Sequence, residues 1–164
     1  MNAVAAADLA LFRSVRGAAT NQDSVAAVRR FSALGEHAAV WLAIGAAGAV
    51  VDSRNRSRWT KATAAIGGAY LLNTALKAVV RRPRPDIEDL PALMSTPTQL
   101  SFPSAHAATS FAAARAFSAG LLPAAPLYAL AGAMAASRVF LGVHYPSDIV
   151  AGAALGTAIG SVAR

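Results

Sequence analysis

The sequence predicts an all-α fold: a polytopic membrane bundle of about five transmembrane helices, preceded by an N-terminal amphipathic helix. Three observations predict it. Hydrophobic residues make up 55% of the 164 residues and charged residues only 14%, whereas a soluble domain carries about 25% charged residues. The mean hydropathy is correspondingly high, at +0.45. Finally, most of the 15 Lys and Arg residues lie between apolar stretches, as they do in the loops that border membrane spans.

The composition also excludes several classes of protein. Without cysteine, the chain is neither a disulfide-stapled domain nor a protein with a Cys-ligated zinc site. It is too apolar to be disordered, and a soluble Ala-rich bundle would need charged outer faces that these stretches lack. The net charge of +7 is typical of nucleic-acid binding, but no basic stripe is interleaved with aromatic residues. We therefore expect no nucleic-acid partner.

The N-terminal residues 1–31 differ from the rest because charged side chains alternate with apolar ones such as Leu11 and Phe12. This segment is too polar to cross a membrane, and it lacks the apolar core of a signal peptide. We expect an amphipathic helix that lies on the membrane surface. An ordered cap on the bundle is an equal alternative.

Residues 32–164 contain the predicted bundle, and the whole chain is expected to form a single domain. Five apolar stretches approach the length of about 20 residues that a bilayer requires. They run over residues 33–51, 62–80, 107–122, 124–143 and 149–163. In the last stretch Gly152, Gly156 and Gly160 recur every four residues. Such a smooth face predicts close approach of another helix.

Polar residues gather where these stretches end, in segments 77–85, 103–106 and 137–148. Successive spans alternate in direction. The end of the second span, the start of the third, the end of the fourth and the start of the fifth therefore share one membrane face. We expect residues that are distant in the sequence to converge there.

Three cations of these segments, Lys77, Arg84 and Arg138, suggest an anion site. Charged side chains at membrane depth are costly without a partner of opposite charge. A phosphate group satisfies several cations at once, and arginine offers it a two-pronged contact. Ser104 and the backbone N–H groups at the start of the third span would add further donors.

Two histidines and an aspartate supply the chemistry. His144 and Asp148 are four residues apart, and such an aspartate can orient an imidazole that acts as nucleophile or base. His106 is a second imidazole on the same face, available to protonate a leaving group. The pattern predicts phosphoryl transfer through a phosphohistidine. The alternatives are a metal pair, ordinary membrane-flanking cations and a plain helix cap at Ser104.

The three segments resemble the signature of the type 2 phosphatidic acid phosphatases, relatives of the vanadium haloperoxidases, which reads K-x6-R-P, P-S-G-H and S-R-x5-H-x3-D. All three spacings match, in order, between residues 77 and 148. The resemblance implies that His144 is the nucleophile, Asp148 its orienting partner and His106 the acid. It also implies that no metal or other cofactor is required. The phosphate ligands that it implies are Lys77, Arg84, Ser104, Ala105 and Arg138.

One position departs from the family pattern: Ala105 replaces a glycine. Glycine would permit a positive φ angle and a close approach of the backbone to phosphate. We expect a helical-region turn at Ala105, which alanine tolerates. The chain is also short for a family that commonly has six spans, and we expect the surface helix to replace the first span.

These features predict a multi-pass lipid phosphatase of the plasma (inner) membrane that hydrolyses a phosphomonoester of a lipid-linked substrate. Within the family, the small, Ala-rich form resembles actinobacterial members, and this resemblance implies a polyprenyl-linked phosphosugar of cell-wall precursor synthesis as the substrate. Undecaprenyl pyrophosphate and glycerolipid phosphates are alternative substrates, and a non-catalytic subunit that binds or transports lipid phosphates is an alternative function. The expected partners are this substrate and membrane lipids, with a homo-oligomer or a complex with another membrane enzyme of the same pathway left open.

Arg115 has no place in this scheme. It lies nine residues after His106, so on an ideal helix it points about 180° away from that histidine. We therefore do not expect it to bind the phosphate.

Overall fold

The computed structural model describes residues 3–163, which form seven α-helices and no β-strand. The helices are α1 (Ala3–Gly17), α2 (Gln22–Ala33), α3 (Ala39–Val51), α4 (Arg56–Val80), α5 (Ala105–Phe117), α6 (Ala124–Phe140) and α7 (Pro146–Val162). Short 3₁₀ turns, Glu36–Ala38 and Ser53–Asn55, precede α3 and α4. The all-α prediction agrees with this architecture.

The N-terminal region contains two helices where the sequence predicted one. The Asn21 side chain accepts hydrogen bonds from the backbone N–H groups of Asp23 and Ser24 at 2.8 and 3.1 Å. This cap starts a new helix after the turn that follows Gly17. On α1, Phe12 is buried and its ring lies 5.8 Å from that of Tyr145, at the start of α7. The first helix is therefore an ordered cap on the bundle.

Helix α5 lies at the centre of the bundle, since 10 of its 13 residues are buried. It packs closely against α7, where Gly152, Gly156 and Gly160 are all buried. A Cβ atom at Gly152 would lie 2.5 Å from the carbonyl oxygen of Ser104, and one at Gly156 would overlap the carbonyl of Ala108. The smooth glycine face thus allows the contact that the sequence predicted.

The predicted count of about five spans is not confirmed by helix length and composition. Within residues 3–163, one helical segment, Ser53–Val80, is long and apolar enough to cross a membrane, while Gln22–Ala33 with Glu36–Val51 qualifies only as a pair bent by 47°. Helices α5, α6 and α7 have 13, 17 and 17 residues. Some of the predicted apolar stretches extend beyond the ends of the helices that they contain. The third stretch, for example, runs on to Leu122, whereas α5 ends at Phe117.

Among residues 3–163, three non-glycine residues adopt left-handed backbone conformations. His37 (φ 52°) and Ala38 (φ 61°) lie between α2 and α3, and Arg81 (φ 54°) ends α4. Each costs about 1–2 kcal/mol relative to the right-handed form. All three lie at the end of the bundle where the predicted site residues gather.

Candidate active site

One cavity of about 120 Å³ lies where α4 and α6 end and α5 and α7 begin. The structure brings six of the predicted site residues to its wall. These are Lys77, Arg84, Ala105, His106, Arg138 and His144. The other part of the wall carries polar side chains that the sequence reasoning did not select, namely Glu36, His37, Tyr70, Thr74 and Thr98.

Two cations are held in place by backbone carbonyls. The Lys77 ammonium, in the last turn of α4, donates to the carbonyl of Ser101 at 2.9 Å. Arg84 donates from Nε to the carbonyl of Thr98 at 2.8 Å and from Nη1 to that of Val143 at 2.6 Å. These hydrogen bonds tie α4 to the segment just before α5, and the loop after α4 to the turn before α7. They also fix positive charge at the cavity.

The third cation, Arg138, is 2% exposed. Its Nη1 donates to the Ser32 hydroxyl at 2.7 Å and lies 3.8 Å from Oε1 of Glu36. Its Nε has no hydrogen-bond partner among residues 3–163. A buried donor without a partner is costly, and a guanidinium N–H is a strong donor for phosphate oxygens.

His144 and Asp148 face each other. The ring of His144 is buried, with Nδ1 3.3 Å from Oδ2 of Asp148 and Nε2 3.2 Å from Nη1 of Arg84. Because a guanidinium only donates, Nε2 must be the acceptor, and Nδ1 then carries the proton toward the carboxylate. Burial lowers the pKa of His144 well below its ordinary value, and the charges of Arg84 and Lys77 lower it further. The ring is therefore neutral, with its lone pair on Nε2.

His106, in the first turn of α5, is buried beside α2. Its Nε2 lies 3.0 Å from the carbonyl oxygen of Ser32 and 3.9 Å from Oε1 of Glu36. A carbonyl only accepts, so Nε2 carries a proton. A Cβ atom at Gly35 would lie 2.7 Å from Cδ2 of the imidazole, so the turn after α2 packs directly on this ring.

Ser104 and Ala105 begin α5. Ser104 is fully buried, and its hydroxyl caps the helix by accepting from the N–H of Ala107 at 3.4 Å. Its own N–H donates to the carbonyl of Asp148 at 3.0 Å, which ties α5 to α7. Ala105 is the first residue of α5 and is not among the residues with positive φ. The expected helical-region turn at this position is thus present.

Four of the residues that sequence reasoning missed interact with the site side chains or with their partners, and Arg82 is one of them. In the sequence, Arg82 is one of the cations that lie between apolar stretches, as in loops that border membrane spans. In the structure, its Nη1 donates to Oδ1 of Asp148 at 3.0 Å and its Nη2 to Oδ2 of Asp8 at 2.9 Å. The left-handed turn at Arg81 ends α4 just before it. Asp8 also accepts from the N–H of Ser147 at 2.8 Å. The other two missed residues, Ser32 and Glu36, contact Arg138 and His106.

One feature of the sequence could have identified Asp8: it is the only acidic residue in α1. Burial raises the pKa of this carboxyl, but hydrogen bonds from Ser147 and Arg82 outweigh that effect and hold it below its ordinary value. Asp8 is therefore a charged anchor between the N-terminal cap and the site.

Arg115 has a partner away from the cavity. Its Nε donates to the hydroxyl of Ser161, on α7, at 3.0 Å. This accounts for a charged side chain in the middle of α5 and agrees with the expectation that it does not bind the phosphate.

No three His, Asp or Glu side chains in the part of the chain from residue 3 to residue 163 are grouped so as to hold a metal ion. The pair that the sequence offered for such a site, His144 and Asp148, is instead joined by the Nδ1–Oδ2 contact of 3.3 Å.

Comparison with known proteins identifies the family. Residues 58–164 match the model of the PAP2 superfamily. A decaprenylphosphoryl-5-phosphoribose phosphatase of Mycobacterium tuberculosis is 39% identical over 157 residues, 94% of this chain and 88% of that protein. The protein of the same name from Mycolicibacterium smegmatis is 44% identical over 127 residues, 76% of this chain and 68% of its own.

Solved structures share the fold. The crystal structure of Aquifex aeolicus LpxE superposes with a TM-score of 0.81 at 28% identity, over 94% of this chain and 93% of that one. A PAP2-type phosphatidylglycerolphosphate phosphatase from Bacillus subtilis gives a TM-score of 0.82 at 24% identity, covering 99% and 85% of the two chains. These matches confirm the family that the three motifs predicted, and the chain belongs to the PAP2 superfamily.

Proposed function

We propose that this membrane lipid phosphatase removes the 5-phosphate of decaprenylphosphoryl-5-phosphoribose, on the route to cell-wall arabinan precursors, through a phosphohistidine at His144. The relatives from two mycobacteria carry that substrate in their names. The observation that supports the chemistry best is the neutral His144 ring, whose Nε2 lone pair lies among three cations and whose Nδ1 faces Asp148. Undecaprenyl pyrophosphate and glycerolipid phosphates are the competing substrates.

In the first step, the phosphate oxygens accept hydrogen bonds from Lys77, Arg84 and Arg138, from the Ser104 hydroxyl and from the backbone N–H of Ala105. The lone pair on Nε2 of His144 attacks phosphorus. The bond from phosphorus to the ester oxygen breaks, and its electron pair stays on that oxygen. His106, doubly protonated beside the negatively charged phosphate, gives the leaving oxygen the proton of its Nδ1, which turns that oxygen into an alcohol, and keeps the Nε2 proton that contacts Ser32. Asp148 stabilises the positive charge that the imidazole acquires.

In the second step, a water molecule attacks the phosphorus of the phosphohistidine. His106 has lost its Nδ1 proton in the first step and takes one from this water. The phosphorus–nitrogen bond breaks, and the electron pair returns to Nε2 of His144. Inorganic phosphate leaves, and both histidines regain their starting protonation states.

We further propose that α3–α7 together cross the plasma membrane. Their outward-facing side chains support this. Val50, Leu71, Val79, Val150 and Val162 are between 68% and 86% exposed in the isolated chain. We infer that these side chains belong to an apolar surface that lipid covers, since large exposed apolar surfaces are rare on soluble monomers.

The test is phosphate release by purified protein in detergent, measured over polyprenyl phosphosugar, polyprenyl pyrophosphate and glycerolipid phosphate substrates. His144→Ala should lower turnover by at least about 10³-fold, and vanadate should inhibit whereas EDTA should not. Arg138→Ala should also lose activity. Arg115→Ala is its matched control, because that arginine contacts Ser161 instead of the cavity.

Near-normal turnover by His144→Ala would overturn the assignment of the nucleophile. Loss of activity in EDTA would favour a metal mechanism. Lipid phosphates that bind without any release of inorganic phosphate would favour the non-catalytic binding or transport subunit.

A further inference from the structure

The cavity continues beyond the three phosphate-binding cations, along a wall of different chemistry. Glu36 and His37, from the turn after α2, and Tyr70 and Thr74, from α4, line this part. The wall offers a carboxylate, an imidazole and hydroxyls. A hydrocarbon chain cannot form hydrogen bonds with such groups, but the hydroxyl groups of a substrate can form hydrogen bonds with all of them.

Glu36 is the most informative member of this wall. Its Oε1 lies 3.8 Å from Nη1 of Arg138 and 3.9 Å from Nε2 of His106, so it forms a hydrogen bond with neither. The side chain is 31% exposed. A carboxylate beside a phosphate pocket repels the phosphate. A site for a bare phosphate monoester would therefore bind its substrate more tightly without the Glu36 carboxylate. A substrate with hydroxyl donors next to its phosphate would offset that repulsion.

The backbone around Glu36 is unusual as well. His37 and Ala38 both have left-handed φ angles, of 52° and 61°, although neither is glycine. Such residues gather at functional sites, where the surrounding fold holds them in place. Here the turn brings Glu36 and His37 to the cavity wall directly after Gly35, which packs on the His106 ring.

Helix α4 provides the opposite side of this part of the cavity. Tyr70, Thr74 and Lys77 follow one another at helical spacing on one face. Tyr70 lies about 10 Å along the helix from Lys77. The Tyr70 hydroxyl is 2.7 Å from Nδ1 of His37, so the two elements meet at this hydrogen bond. The wall is therefore built from α4 and from the turn after α2 together.

We propose that Glu36, His37 and Tyr70 form a subsite for the hydroxyl groups of a sugar that lies between the phosphate and the lipid, and that Glu36 accepts hydrogen bonds from them. The subsite rests on the proposed function, because it requires the phosphate to bind at the three cations. It makes the enzyme prefer lipid-linked phosphosugars over phosphate monoesters that lack neighbouring hydroxyls.

Two substrates and three variants test this subsite in the full-length protein in detergent. The substrates are a polyprenyl-linked phosphoribose and phosphatidic acid, which carries no hydroxyl beside its phosphate. Glu36→Gln should lower kcat/KM for the phosphosugar at least about tenfold. It should not lower kcat/KM for phosphatidic acid and should raise it if the lost repulsion of the phosphate dominates. Tyr70→Phe should shift the preference in the same direction. The matched control is Glu88→Gln, the same chemical change on an exposed loop residue, which should alter neither.

The outcomes separate the subsite from the phosphatase activity itself. An equal loss on both substrates in Glu36→Gln would mean that Glu36 acts on Arg138 or His106, and it would overturn the subsite. Unchanged rates on both in Glu36→Gln and Tyr70→Phe would overturn it as well. If the unmodified protein releases phosphate from neither substrate, the proposed function fails and the subsite fails with it.

Discussion

Arg82 holds Asp148 through the carboxylate oxygen that His144 does not use. Its Nη1 lies 3.0 Å from Oδ1 of Asp148, whereas Oδ2 faces Nδ1 of His144 at 3.3 Å. The other nitrogen of the guanidinium, Nη2, contacts Asp8 at 2.9 Å. A chain of alternating charge therefore runs from the N-terminal cap to the proposed nucleophile. Arg82 is a positioning residue, since it contacts the aspartate and not the cavity.

The first prediction concerns this chain. Arg82→Ala should lower kcat by about 10- to 100-fold, because the carboxylate loses the partner that fixes its orientation and a misplaced nucleophile is costly. KM should change much less, since the phosphate-binding cations remain. Steady-state kinetics on the best substrate measure both constants.

Asp8→Asn and the double variant sharpen this test. Asp8→Asn should cause a smaller loss of kcat. The double variant that combines Asp8→Asn with Arg82→Ala should have no lower kcat than Arg82→Ala alone, because the two residues act through one contact. The exposed Arg54, in the turn before α4, supplies the control Arg54→Ala. A rise in KM with unchanged kcat in Arg82→Ala would contradict the positioning role.

The second prediction concerns Ser32, which joins Arg138 and His106. Its hydroxyl accepts from Arg138 at 2.7 Å, and its carbonyl accepts from His106 at 3.0 Å. Ser32→Ala leaves a buried guanidinium donor without this partner, which should lower the free energy of unfolding by about 1–3 kcal/mol. We expect KM for the phosphate substrate to rise about tenfold as the guanidinium loses its fixed position.

Ser110→Ala is the matched control for Ser32→Ala. Ser110 is also a fully buried serine, but it accepts from the indole of Trp41 at 2.8 Å. This variant should unfold at a lower temperature and keep its KM. If both variants lose stability and neither changes KM, Ser32 has no part in the site.

The sequence could predict that the motif residues lie close together because their relationship is partly local. His144 and Asp148 are four residues apart, and Ser104 is the N-cap of α5. The convergence of the three segments needs only helices that alternate in direction. These inferences use short spacings or the order of elements along the chain. None of them requires knowledge of the angles at which the helices pack.

Ser32, Glu36 and Asp8 could not be found in that way. Ser32 and Arg138 are 106 positions apart in the chain, and their contact depends on how α2 packs against α6. No motif marks the turn after α2, because its two left-handed residues are not glycines. The helix ends were also misjudged, since apolar residues such as Leu122 lie in the turn after α5 and not within the helix.

The third prediction tests the packing of α5 on α7. Gly156→Ala should destabilise the protein by about 1–3 kcal/mol, because the added methyl group would overlap the backbone carbonyl of Ala108. Gly68→Ala is the matched control, since nothing lies within 4 Å of a Cβ atom at that helical position. It should be neutral or stabilising by up to about 1 kcal/mol.

Thermal unfolding in detergent compares the two glycine variants. A lower Tm for Gly156→Ala alone supports the close helix contact. Equal Tm values for both variants would mean that α5 and α7 lie farther apart than in this structure.

The last prediction concerns the protonation of His144. A nucleophilic imidazole must be neutral, and the neutral form is the one present above the pKa. Burial lowers the pKa of His144 well below its ordinary value, and Arg84 lowers it further. As the pH falls through about 6.5, the ordinary value, the ring of the free enzyme should therefore stay neutral. In protein with ¹⁵N-labelled histidine, the signal that is lost in His144→Ala should not titrate between pH 7.5 and about 6. Arg84→Ala removes one of the lowering charges and should move the midpoint upward. A midpoint at or above 6.5 in the unmodified protein would contradict the burial of this ring among cations.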